Sequence, residues 1–187
     1  MISHKHKCIF IHINKCGGTT IDTLFNGEFA GHKKAFHYEE LYPKEFNNYF
    51  KFTFVRNPWD RVVSFYHYQV KRKWDFYPFN KTIPFKKFVK EWLRQMPGQT
   101  TLNTNSCYDW ISDKNDDLLV DFIGKLENFQ QDFNAICDTI GIERQKLPHE
   151  NKSKHKHYTE YYDEETKQIV AEKYAKDIEY FGYKFGE

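Results

Sequence analysis

The sequence predicts an α/β fold built on a mainly parallel sheet. Short runs rich in β-formers alternate with segments of helical period, two of those runs stop at turn residues just ahead of a helix, and 187 residues suit a single domain, 1–187. The first run is Lys7 to Ile13, KCIFIHI, too short for a buried helix and followed by the Gly17-Gly18 turn. A helical segment carrying Asp22, Leu24 and Phe25 comes next. Phe50 to Val55, FKFTFV, is the second strand, and it stops at Arg56-Asn57-Pro58. Asn57 suits a helix N-cap and Pro58 the first helical position, so a helix is expected from Pro58 to about Lys73. Pro84 to Arg94 spaces Phe85, Phe88, Val89 and Trp92 as a helix does, with Pro97-Gly98 as its stop. Leu118 to Ile123, LLVDFI, reads as a third strand ahead of Gly124. The following helix presents Phe129, Phe133, Ile136, Cys137 and Ile140 on one face and ends at Gly141. A last helix opens near Asp163, Glu164 and Glu165 and buries Val170, Tyr174 and Ile178 at intervals of four.

Composition narrows the function classes. With 28 Lys+Arg against 26 Asp+Glu the formal charge is +2, which argues against nucleic-acid binding by bulk charge. Aromatic residues make up 19% of the chain, enough to fill a core although only 40% of residues are hydrophobic, and this argues against disorder. The longest apolar run, Cys8 to Ile13, falls far short of the roughly 20 residues a membrane span needs. MISHKHK is basic but leads to no cleavage site, so the chain is read as unexported and cytoplasmic. Cys8, Cys16, Cys107 and Cys137 lie far apart without a CxxC pair, as expected of reduced thiols. The HxH pairs, His4 with His6 and His155 with His157, lack accompanying cysteine or carboxylate spacing and read as solvated basic segments, so no metal is expected.

Chemistry gathers first at His12 to Thr20, HINKCGGTT, between a strand and a helix. In that position glycines free backbone N–H groups, and the helix N-terminus adds its own, all turned toward an anion. Lys15 supplies a cation, and Thr19 and Thr20 supply hydroxyls. The Walker pattern GxxxxGK[ST] fails, because Gly18 precedes Thr19 and the lysine stands at the front of the loop. A second anion site is expected at VRNPWDRVVSFYHY. Arg56 ends the second strand, where its guanidinium can hold a phosphate through two parallel hydrogen bonds, and Ser64 lies two turns along the next helix. Open parallel sheets bind ligands beyond the carboxyl ends of their strands, which is where both motifs fall.

HINKCGGTT followed by FKFTFVRNPWDRVVSFYHY resembles the 5′-phosphosulfate loop and 3′-phosphate motif of the sulfotransferases, especially carbohydrate O-sulfotransferases of the heparan 2-O- and chondroitin type. The resemblance continues through VDFIGKLENFQQDFNAIC, LPHENKSKHKHY and YYDEETKQIVAEKYAKDIEYFGYKF, leaving only Lys71 to about Thr104 without a counterpart. It implies a P-loop-like three-layer fold with a mainly parallel central sheet flanked by helices. The implied donor is 3′-phosphoadenylyl sulfate (PAPS), and the implied reaction is in-line transfer of a sulfuryl group to an acceptor hydroxyl, on a carbohydrate, without a metal. In this resemblance Lys15 lies by the bridging oxygen, the amides of Cys16, Gly17, Gly18, Thr19 and Thr20 hold the 5′-phosphate, and Arg56 and Ser64 hold the 3′-phosphate. Lys152 and Ser153 match a late segment covering the nucleotide.

The transfer needs a base, and histidine titrates near neutral pH. Of nine histidines, His32 follows Gly31 and precedes Arg56 at the spacing at which the related enzymes place their base, with His37 as the reserve. Two other classes compete. A kinase-like phosphotransferase would use the same loop, but LLVD at Leu118 to Asp121 is the nearest approach to a Walker-B carboxylate. A polyanion- or nucleic-acid-binding module would use Lys71 to Lys73 or Asn151 to His157, against the near-neutral balance and the lack of an RNA-binding motif.

Overall fold

The computed structural model describes residues 1–25, 31–71, 83–93, 105–148 and 156–187. In chain order these form β1 (Ile2–Ser3), β2 (Cys8–Ile11), α1 (Gly18–Phe25), α2 (Ala35–Leu41), α3 (Pro43–Asn48) and β3 (Phe50–Val55). Then come α4 (Pro58–Lys71), α5 (Phe85–Lys87), α6 (Tyr108–Ile111), β4 (Phe122–Lys125), α7 (Phe129–Ile140), α8 (Glu164–Lys173) and α9 (Ala175–Phe181). They group into two compact units, Met1–Arg56 with Cys107–Glu150 and Asn57–Ser106 with Asn151–Glu187.

The first unit holds the sheet, in the order β1-β2-β3-β4. β1 runs antiparallel to β2, and β2, β3 and β4 run parallel, with Phe10 beside Phe52 and Phe52 beside Phe122. Every residue of β2 is buried, as is β3 from Phe52 onward, the continuous apolar character of strands covered on both faces. The one hydroxyl in that run, Thr53, donates to the Ile11 carbonyl at 2.8 Å, so it sits in the core without an orphaned group. The α/β class is as the sequence predicts.

The third strand is displaced from its expected place. It begins at Phe122, after the LLVD stretch, and it includes Gly124. Asp121 accounts for the shift: its carboxylate accepts the Lys51 amide at 2.7 Å and meets Lys51 Nζ at 2.9 Å, while its own amide donates to the Lys51 carbonyl at 2.8 Å. Ahead of that clamp, Leu118 bridges Ser112 and the Leu119 amide donates to Ile111. Gly124 lies within the strand because the Phe54 ring covers it; a β-carbon there would come within 2.4 Å of that ring. α7 is as expected, ending at Gly141 in the left-handed region (φ +70°), with the Ile142 amide returning to Cys137.

The second unit is helical. Asn57 caps α4 by accepting the Trp59 amide at 3.1 Å, and Pro58 takes the first position, both as expected. The helix is described to Lys71. Its Trp59, Val62, Val63 and Phe65 share a core with Phe85, Phe88, Val89 and Leu93 and with Ile169, Val170 and Tyr174. The expected Pro84–Arg94 helix is a short α5 that widens into π turns over Phe88–Leu93, and Arg94 lies outside the described residues. The expected last helix is two, α8 and α9, parted at Tyr174, where ψ moves to 27°. Tyr174 still donates to Val170 and accepts from Ile178, so the spacing of four survives the break and hides it from a sequence reading. Asp163 and Thr166 form a capping box at the start of α8. Among the described residues, no helix is long and apolar enough to cross a membrane.

Candidate active site

The loop between β2 and α1 is tightly wound. Lys15 holds a left-handed backbone (φ +68°), which a side chain adopts only when its surroundings require it, and Gly17 follows at φ +82°. A β-carbon on Gly17 would fall 2.8 Å from Leu126 and 2.9 Å from Phe129, so position 17 excludes a side chain by space as well as by conformation. The loop is braced from within: the Cys16 amide donates to Ile13 at 3.3 Å and the Thr20 amide to Gly17 at 3.1 Å. Those two amides therefore face the loop's own carbonyls, which narrows the expected set of five. Gly18 and Thr19 open α1, where N–H groups have no helical carbonyl to meet. Thr19 is exposed and Thr20 buried. The Cys16 thiol turns inward, 3.7 Å from the Asn14 carbonyl and 4.0 Å from the Cys107 sulfur.

The two anion motifs meet through Arg56. Just past β3, its guanidinium NH1 donates to the carbonyl of Lys15 at 3.2 Å, so the residue expected at a second phosphate is tied to the front of the first loop. Ser64 is buried on α4 in the helical unit. Arg61, on the same helix, is also buried and donates to the Asn105 carbonyl at 2.7 Å. Lys152 and Ser153 lie outside the described residues.

The two candidate bases are placed differently. His32 lies beside the residue that leads into the loop: its Nδ1 is 3.4 Å from the His12 carbonyl, and its ring stands edge-to-face with the His12 ring, centroids 4.5 Å apart. A carbonyl only accepts, so this contact places the His32 proton on Nδ1 and the lone pair on Nε2. Burial, and then the neighbouring His12, hold the His32 pKa below the usual histidine value. His37 lies on α2, its ring against Phe36 at 3.9 Å, with a buried Nδ1 that finds no hydrogen-bond partner among the described residues. Its pKa is also lowered, chiefly by burial.

Sequence reasoning passed over His12 and Asp22. His12 follows the end of β2 and is buried, stacked on Phe10 at 5.6 Å, with its Nδ1 2.7 Å from Asp22 Oδ2 on α1. Its ring fills the space over Gly18, where a β-carbon would come within 2.2 Å of it. The available signal was the glycine: a second glycine where the helix begins implies a bulky neighbour, and Asp22 lies one turn further along the same helix. Two histidines of the HxH pairs have local partners. His4 shares a hydrogen bond with Tyr49 and His157 with Thr159, and no group of three His, Cys, Asp or Glu gathers among the described residues.

A sequence profile described as the sulfotransferase family matches residues 1–184. The chain belongs to that family. The enzyme is also 34% identical over 100 residues to an uncharacterised protein of Archaeoglobus fulgidus, an alignment covering 53% of this chain and 73% of the archaeal one. No solved structure matches it. Membership supports a transferase that moves sulfuryl groups.

Proposed function

We propose that this sulfotransferase moves a sulfuryl group from PAPS to a hydroxyl of a carbohydrate, with His32 as the base. The observation that carries the reading is the hydrogen bond from Arg56 to the Lys15 carbonyl. A donor with anionic groups at its 5′ and 3′ ends calls for two joined cationic sites, and this bond joins them. The amides of Gly18 and Thr19 and the Lys15 ammonium suit the 5′ end, and the Arg56 guanidinium suits the 3′-phosphate. For Ser64, Lys152 and Ser153 the support remains the sequence resemblance. The family match runs through both compact units, which supports reading 1–187 as one catalytic domain of P-loop-like, three-layer type.

In the chemical step, His32 Nε2 takes the proton of the acceptor hydroxyl as that oxygen bonds to sulfur and the sulfur–oxygen bond to the phosphate breaks. Lys15 meets the charge that grows on the departing oxygen. The depressed pKa keeps the His32 ring neutral, and able to accept, at neutral pH.

Thermal melting with 3′-phosphoadenosine 5′-phosphate (PAP) should show a marked stabilisation, about 2.7 kcal/mol at a hundredfold excess over Kd, and ATP with Mg²⁺ a smaller one. Equal shifts would favour a phosphotransferase. Donor carrying labelled sulfate, offered to sugars, lipids and small alcohols, should label sugars; label confined to the others would overturn the carbohydrate assignment. His32→Ala should bind PAP and lose turnover, whereas full turnover in His32→Ala with a dead His37→Ala would move the base to His37.

A further inference from the structure

We propose that Asp22 and His12 are positioning residues of the transfer reaction: the Asp22 carboxylate fixes the His12 ring, and His12 in turn holds His32 as the tautomer with its proton on Nδ1 and its lone pair on Nε2. This rests on the reading of His32 as the base. The chain of contacts is continuous. Asp22 Oδ2 lies 2.7 Å from His12 Nδ1, and a carboxylate accepts, so the His12 proton sits on Nδ1. Phe10 on one side and Gly18 beneath leave the His12 ring little room to turn. His12 then grips His32 at two points, with its carbonyl at Nδ1 and its ring against the edge or face of the second imidazole. One contact selects the tautomer and the other sets the ring plane.

Asp22 can also act on the histidines through its charge. Its second oxygen, Oδ1, is buried and has no hydrogen-bond partner among the described residues. Buried acceptors are ordinarily paired, and an oxygen left over keeps negative charge close to the histidines. When His32 takes the proton, that charge favours the imidazolium. Burial chiefly, and then the His12 ring and the Met1 amino group, oppose protonation of His32, whereas the His12 carbonyl and the Asp22 carboxylate favour it.

The test is Asp22→Asn, which keeps the side chain's volume. The Asn side chain can still accept from the His12 Nδ1–H through its Oδ1, so the variant removes the charge and replaces a charged hydrogen bond by a neutral one. Long-range ¹⁵N–¹H spectra of the imidazoles should show His12 and His32 of the wild type both protonated on Nδ1. Turnover should fall about 100-fold, less than the roughly 10⁴-fold lost when an orienting carboxylate contacts the catalytic histidine directly, with PAP affinity within about threefold of wild type. The acid limb of the pH–rate profile should move to lower pH in Asp22→Asn, which loses a favourable charge.

A wild-type His32 protonated on Nε2 overturns the proposal, a measurement that needs no variant to fold. So does Asp22→Asn turning over within twofold of wild type. His32→Ala decides the base separately: if it is active, the base reading fails, and if it is dead while Asp22→Asn is fully active, only the positioning role fails.

Discussion

Gly18→Ala adds one methyl group where the structure leaves none to spare. The new β-carbon would stand 2.2 Å from His12 Nε2 and Cδ2, about 1.2 Å short of ordinary contact. Phe10 is stacked on the same ring, so the ring has to swing, and the hydrogen bond to Asp22 goes with it. A hydrogen bond to a charged group contributes about 1.5–3 kcal/mol, and forced overpacking costs about 1–3 kcal/mol. Alanine in place of glycine returns at most about 1 kcal/mol of helix propensity. The expected net loss is about 2–4 kcal/mol, a fall in melting temperature of roughly 5–15 °C for a chain of this length. Urea unfolding of wild type, Gly18→Ala, His12→Ala and the double variant measures the coupling. With His12 already cut back to alanine, Gly18→Ala should be harmless or slightly stabilising. If it destabilises the His12→Ala background as much as the wild type, contact with His12 is not the reason for the glycine.

Arg56→Ala should weaken PAP binding about 10- to 100-fold in calorimetry, by loss of charged hydrogen bonds and of the brace on Lys15; unchanged affinity would detach Arg56 from the donor site. All four cysteines are buried thiols, and burial pushes the Cys8 thiol up to about 12, so Ellman's reagent at pH 8 should find almost no reactive thiol until denaturant is added. Rapid reaction in the native protein would contradict that burial. His32 and His37 both have lowered pKa values, so the unfolded chain binds more protons than the folded one below about pH 6.5. Their contribution is fully present above that value and is lost as pH falls toward the folded values, so urea midpoints should drop between pH 7 and pH 5, less steeply in His32→Asn. Identical pH slopes in the two proteins would mean that His32 is not desolvated.

What the sequence made legible was local. The turn from β2 into α1 could be read because strand, glycines and helix start follow one another within nine residues, and α4 because its cap and its proline are adjacent. The third strand was misread for the opposite reason. Leu118 to Val120 look as strand-like as Phe122 and Ile123, and only the grip of Asp121 on Lys51, 70 positions away, sets where pairing with β3 begins. The break at Tyr174 was invisible because the apolar spacing passes through it unchanged. His12, Asp22 and His32 lie on three separate stretches, and nothing short of the folded first unit brings them into contact.

Lys15 has a consequence for how the loop tolerates change. A non-glycine residue in the left-handed region holds strain of about 1–3 kcal/mol, and glycine would relieve it for about 0.5–1 kcal/mol of lost chain freedom. Lys15→Gly is therefore a substitution that random selection for heat resistance should accept and selection for turnover should reject. The two screens would pull in opposite directions at this residue, marking it as a place where durability and activity are traded against each other within one backbone angle.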